Sequence, residues 1–215
     1  MNLKSFGCSF IFGSELADDK QNSIPSQLTW PALYAKEVGH EYQCYAWPGS
    51  GNLQIAEQVL GQIANSTPAL YVIGWTWIDR FDYTTLDDQW QTIMPIDENP
   101  VAKTYYRNLH SQYRDKLTTL MGIKLIIDTL QQKKYPFIMT YIDDLIFETE
   151  WHITPAILEL QDYIRPHMTT FEGASFLDWS RNCGFPETEQ WHPLEQAHAA
   201  AADYILISQL GINKK

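Results

Sequence analysis

Apolar residues in this chain gather in short runs punctuated by glycine, proline and polar turns, and the runs alternate with stretches of helical period. Residues 2–8 are strand-compatible and end at Gly7, where the glycine-flanked segment Cys8 to Gly13 turns into a loop. Residues 29–39 hold Thr29 as a capping residue, an early Pro31 and a closing Gly39, which predicts a helix. Residues 42–46 predict a second strand, 48–52 a turn, and 53–64 a second helix. The unbroken apolar run 69–74, bounded by Pro68 and Gly74, predicts a strand covered on both faces of a parallel sheet. Residues 101–132 are mostly helical in pattern, 135–141 predict a fourth strand, 175–178 a fifth, and 193–210 a final helix. The alternation implies an α/β domain of three layers, flavodoxin-like, with a parallel sheet of about five strands between helices.

One segment breaks the pattern. Residues 75–100 contain Trp75, Trp77 and Trp90 and six acids against the single Arg80, too long for an ordinary connection, and predict a lid or the wall of a site. Its aromatic residues also suit a local mini-core. Length and composition agree with one folded domain over residues 1–215: 45% of the residues are hydrophobic and only 19% charged. The net charge of −11 opposes a phosphate-rich partner, so nucleic-acid binding is not expected. No apolar run is long enough for a membrane span, and Met1 to Phe6 lacks the pattern of a secretion signal. Three cysteines without a Cys-x-x-Cys pair fit a reducing compartment, so a cytoplasmic protein is expected. The scattered histidines His110, His152 and His167 give no metal-site spacing, and no cofactor is expected.

Ligands of open parallel sheets bind beyond the carboxyl ends of the strands, so the segments after the first three strands are where chemistry is expected. They supply Ser9 on its glycine turn, the cluster Pro48-Gly49-Ser50-Gly51-Asn52, and Gly74-Trp75-Thr76. Near the C-terminus, Glu189-Gln190-Trp191-His192 precedes Pro193. In this order the segments resemble the blocks of the SGNH (GDSL) hydrolase family. The first block, Gly-Asp-Ser-Leu-x-x-Gly, is matched by Gly7-Cys8-Ser9-Phe10-Ile11-Phe12-Gly13, and the last, Asp-x-x-His, by Glu189-Gln190-Trp191-His192. Gly49 falls at the oxyanion-hole glycine, and Gly74-Trp75-Thr76 at Gly-x-Asn. The Gly-Cys-Ser-Phe opening is similar to variants in some phage-encoded members, which implies a virion-associated protein as the alternative to a cytoplasmic one.

The resemblance implies a serine esterase in which Ser9 attacks, His192 takes and returns the proton, and Glu189 orients the imidazole, with Glu187 as a competing acid. The oxyanion would be met by the N–H groups of Ser9 and Gly49. Thr76 stands in place of the third-block asparagine, with Asn52 or Arg80 as alternative donors. Trp75, Trp77 and Arg80 are the expected substrate contacts, and an O-acyl ester, such as an acetyl group on a carbohydrate, the expected substrate. Two rivals stay open. One is a non-catalytic carbohydrate-binding or structural protein on a hydrolase scaffold, motivated by Thr76; the other is a thioesterase or lipase-like hydrolase, which needs a deep apolar pocket behind Ser9.

Overall fold

A computed structural model describes residues 1–65 and 68–209. In chain order, β1 (Asn2–Phe6) leads through Gly7 and Cys8 into one helical turn, α1 (Ser9–Phe12), and α2 (Trp30–Glu37) starts with Pro31 in its first turn. β2 (Glu41–Cys44), α3 (Asn52–Asn65) and β3 (Leu70–Trp75) follow. Next come an antiparallel hairpin of β4 (Phe81–Thr84) and β5 (Trp90–Ile93), then α4 (Pro100–Asn108), α5 (Gln112–Lys133) and β6 (Phe137–Tyr141). The described chain closes with α6 (Pro155–Ile164), α7 (Phe176–Asn182) and α8 (Glu195–Gln209).

The main sheet is parallel throughout, in the order β2-β1-β3-β6. Its side chains alternate between two cores, as the pleat of a strand requires. Leu3, Val72 and Ile138 pack with Tyr34 of α2, Leu177 of α7 and Ala201 of α8. Phe6, Ile73 and Met139 pack on the other side with Val59 of α3, Ile123 of α5 and Ile164 of α6. β3 is buried at every position, as its unbroken apolar run implies. The chain leaves β1 toward β2 on one side and later places β3 on the other, so a topological switch point lies between the carboxyl ends of β1 and β3.

Several expectations change in detail. The parallel sheet has four strands among the described residues, because 175–178 begins a helix. Ser175 caps α7 by accepting the N–H of Asp178 at 3.2 Å, and a serine with an acid three residues on is a helix-start pattern. Residues 101–132 form two helices rather than one, α5 starting afresh at the Ser111 cap. Cys8 to Gly13 forms the turn α1 instead of a loop, and the segment after Trp75 folds into the β4–β5 hairpin. Of the expected last helix, Leu210 lies outside the described residues. Among the described residues, no helix is long and apolar enough to cross a membrane.

Candidate active site

Ser9 sits at the switch point as the first residue of α1. The turn comes unusually close to the end of β3: a Cβ on Gly7 would lie 2.6 Å from Ile11 Cγ1 and 2.9 Å from the Gly74 carbonyl oxygen. Only glycine lets α1 pack there, which presses Ser9 against the strand ends. First-turn N–H groups have no acceptor within their own helix, and Cys8, at the cap position, makes no side-chain capping bond.

From the opposite end of the chain, the loop before α8 brings His192 to Ser9, with Nε2 2.8 Å from Oγ. Both residues are buried, 6% and 8% exposed, so their contact is shielded from bulk water. The ring is held by the edge of Phe10, centroids 5.3 Å apart. Its Nδ1 lies 2.5 Å from Glu15 Oε2. Glu15 also accepts the Thr188 hydroxyl at 2.7 Å. That hydroxyl in turn accepts the N–H groups of Gln190 and His192, both at 3.2 Å, so its own proton is left for Glu15. The Thr188 hydroxyl, and after it the His192 ring, hold Glu15 below the usual carboxylate range against the opposing effect of partial burial. An ionised Glu15 puts the imidazole proton on Nδ1, which leaves Nε2 as the acceptor for the Ser9 hydroxyl.

Glu15 therefore stands where Glu189 was expected. Glu189 is exposed and makes no side-chain hydrogen bond among the described residues, and Glu187 pairs with Arg181 at 2.9 Å. The tight turn 188–192, with Trp191 at φ +66° and a Trp191 N–H to Thr188 carbonyl bond of 3.0 Å, carries Glu189 away from the ring. No sequence signal singles out Glu15. It follows Gly13 in a polar stretch at φ +65°, and only the fold brings it across 177 positions to His192.

The other expected site residues divide. Gly49, at φ +86°, adopts a left-handed conformation suited to glycine, with open space around it. Asn52 does not offer its carboxamide to the Ser9 side: Oδ1 accepts the Thr76 N–H at 2.8 Å, and Nδ2 donates to the Thr76 carbonyl at 3.0 Å and to Thr119 at 3.3 Å. Thr76 is fully buried, contrary to its expected place in the oxyanion hole, and its Oγ1 is sealed from solvent with no hydrogen-bond partner among the described residues. Trp75 is sealed in the core on the α3 and α5 side, contrary to its expected contact with substrate, because the last residue of β3 follows the strand's alternation. Trp77 is half-buried and meets the edge of Phe10 at 5.5 Å. Arg80 lies over the Trp77 ring at 4.8 Å and donates to the Ser50 carbonyl at 2.9 Å, so it is committed to the protein itself. A cavity of about 470 Å³ is lined by Leu33, Lys36, His40 and Tyr42, and another of about 120 Å³ by Asn52, Arg80, Asp82 and Tyr105; neither touches Ser9.

No protein-family model matches the sequence, and no curated protein matches it. Solved structures do. A member of the lipolytic protein G-D-S-L family from Veillonella parvula is 12% identical, with a TM-score of 0.52 over 96% of each chain. The chain has the fold of the G-D-S-L hydrolases. The psychrotrophic esterase EstA from Pseudoalteromonas sp. shares that fold at 9% identity and a TM-score of 0.55, covering 99% of this chain and 100% of its own. An acetyl xylan esterase, Est2A, from the rumen bacterium Butyrivibrio proteoclasticus matches at 14% identity and a TM-score of 0.51, over 99% of this chain and 64% of its own. In the G-D-S-L fold of this chain, the first-block turn and the loop before the last helix are the two segments that bring Ser9 and His192 together.

Proposed function

We propose that this protein is a serine ester hydrolase with Ser9 as nucleophile, His192 as general base and acid, and Glu15 as the orienting carboxylate. The observation that carries the reading is the unbroken hydrogen-bonded chain from Ser9 through His192 to Glu15. A serine hydroxyl is a poor nucleophile near neutral pH until a base removes its proton. His192 Nε2 takes that proton as Oγ bonds to the ester carbonyl carbon, and the carbonyl π pair moves onto oxygen. When the tetrahedral adduct collapses, the bond to the alkoxy oxygen breaks and the imidazolium returns the proton to the leaving alcohol. Water repeats the sequence against the acyl-serine and releases the acid. Glu15 stabilises the imidazolium formed in each half. The N–H groups of Ser9 and Gly49 would meet the oxyanion.

A short O-acyl group on a carbohydrate is the substrate class the surroundings favour. Trp191, directly before His192, and Trp47, whose N–H donates to the Gly7 carbonyl at 3.0 Å, are both more than half exposed, the first on the loop that carries His192 and the second on a loop bonded to the turn before Ser9. Flat rings of this kind bury sugar faces at low entropic cost. The fold is also that of an acetyl xylan esterase. A complete relay is unneeded by a purely binding or structural protein. Hydrolysis of a short aryl ester tests the reading: Ser9→Ala should remove turnover at unchanged melting temperature, and a variant as active as the native protein would refute it.

A further inference from the structure

Residues Arg80 and Asp82, at the entry to the β4–β5 hairpin, both reach across to the segment that leads into α3. Two positions apart on an extended chain, they point the same way. The Arg80 guanidinium donates to the Ser50 carbonyl at 2.9 Å, while Asp82 Oδ1 accepts the Gly51 N–H at 3.0 Å. That carbonyl and that N–H belong to one peptide unit, so the Ser50–Gly51 peptide is gripped at both ends and cannot rotate without breaking both contacts. Asp82 Oδ2 also accepts the N–H of Gln54 at 2.9 Å, and Oδ1 the Thr92 hydroxyl at 2.6 Å. The fit leaves no slack: a Cβ on Gly51 would lie 2.5 Å from both carboxylate oxygens. The gripped segment is in turn tied to the nucleophile. The Ser50 N–H donates to the Trp47 carbonyl at 3.1 Å, and the Trp47 N–H to the Gly7 carbonyl at 3.0 Å, two residues before Ser9. Asn52, next in line, holds the Thr76 backbone in both directions.

We propose that Arg80 and Asp82 are positioning residues that lock the Ser50–Gly51 peptide and so set the oxyanion donors beside Ser9, a role that rests on the esterase reading above. The hairpin is thus a brace for the loop carrying Gly49. A donor fixed in advance stabilises the transition state without reorganisation, so loosening the brace should lower kcat more than it raises KM.

The test uses the full chain, an aryl acetate, and an aryl trifluoromethyl ketone whose tetrahedral serine adduct carries an oxyanion. Asp82→Asn keeps the shape but turns an N–H donor toward a backbone N–H. It should lower kcat about 10-fold or more with KM changed less than about 3-fold, and weaken the ketone by the same factor as kcat/KM. Arg80→Met should act in the same direction, and Arg80→Lys, which restores a donor for the Ser50 carbonyl, should recover most of the loss. If both Asp82→Asn and Arg80→Met lower only the melting temperature, leaving kcat and ketone affinity unchanged, the positioning role is overturned while the esterase reading stands. If the native protein neither turns over the ester nor labels at Ser9 with a fluorophosphonate, the esterase reading fails and the positioning role fails with it.

Discussion

Neutralising Glu15 separates the structure's acid from the one the last-block pattern points to. Glu15→Gln is the cleanest perturbation, because glutamine keeps the length of the side chain at a φ +65° position and its amide oxygen can still accept from His192 Nδ1 and the Thr188 hydroxyl. What disappears is the charge facing the imidazolium. Two opposite charges about 4 Å apart interact by about 4 kcal/mol at the effective dielectric of a protein surface. The Glu15 side chain is 35% exposed and that of His192 11%, so solvent screening reduces the figure to roughly 2–3 kcal/mol, a loss of about 30- to 150-fold in kcat. Glu15→Ala also removes the acceptor that fixes the tautomer and should fall further, toward the roughly 10⁴-fold loss seen when a triad carboxylate fails to hold its histidine. Initial rates on p-nitrophenyl acetate near neutral pH, with melting temperatures alongside, measure both variants. Glu189→Gln, at an exposed position, should match the native protein. Glu15 variants within about 3-fold of native activity, or a loss in Glu189→Gln instead, would refute the assignment.

Three further outcomes are expected. Thr76→Val deletes a sealed hydroxyl with no hydrogen-bond partner among the described residues, so melting temperature should hold or rise with kcat near native; a kcat lowered about 10-fold or more would instead make that hydroxyl an oxyanion donor. His198 is buried, with Nδ1 accepting the Trp30 N–H at 3.1 Å, and burial together with the charge of His192 lowers its pKa from 6.5 to about 3. A histidine with a lowered folded pKa contributes stability that is full above pH ~6.5 and lost as pH falls. Urea unfolding should therefore show about 1.4 kcal/mol lost per pH unit below that point, a slope that His198→Gln abolishes and that would persist in the variant if other groups cause it. Trp191→Ala should raise KM for an acetylated oligosaccharide while leaving hydrolysis of p-nitrophenyl acetate near native; equal effects on both would remove the ring from sugar binding.

The elements legible in the sequence are those whose signal is local. Residues 69–74 read as a doubly covered strand because nothing polar interrupts them, and 29–39 read as a helix because Thr29, Pro31 and Gly39 mark its ends. Segment 175–178 misleads because Ser-Phe-Leu-Asp suits both a short strand and a capped helix start, and the cap prevails. The fully buried β3 also hides which core each residue faces, which is why Trp75 reads as a site wall yet fills the interior. At the site, Ser9 and His192 carry block patterns in their neighbours, and the structure brings them together. Glu15 carries none: its position depends on Gly13, on the turn that follows, and on Thr188 from the far end of the chain, and only tertiary folding unites these. Likewise the Arg80–Asp82 grip on one peptide follows from how a hairpin lies over α3, and spacing alone does not show it.

The most direct measurement of the central claim is the covalent state of Ser9 after exposure to a fluorophosphonate. A serine activated by His192 displaces fluoride from phosphorus, so digestion and mass spectrometry should find one phosphonyl group on the peptide containing Ser9. Ester turnover should be lost in proportion to the labelling, and both labelling and turnover should be absent in His192→Ala. An unmodified Ser9 peptide at full exposure, or a modified serine elsewhere accompanying the loss of turnover, would contradict the account.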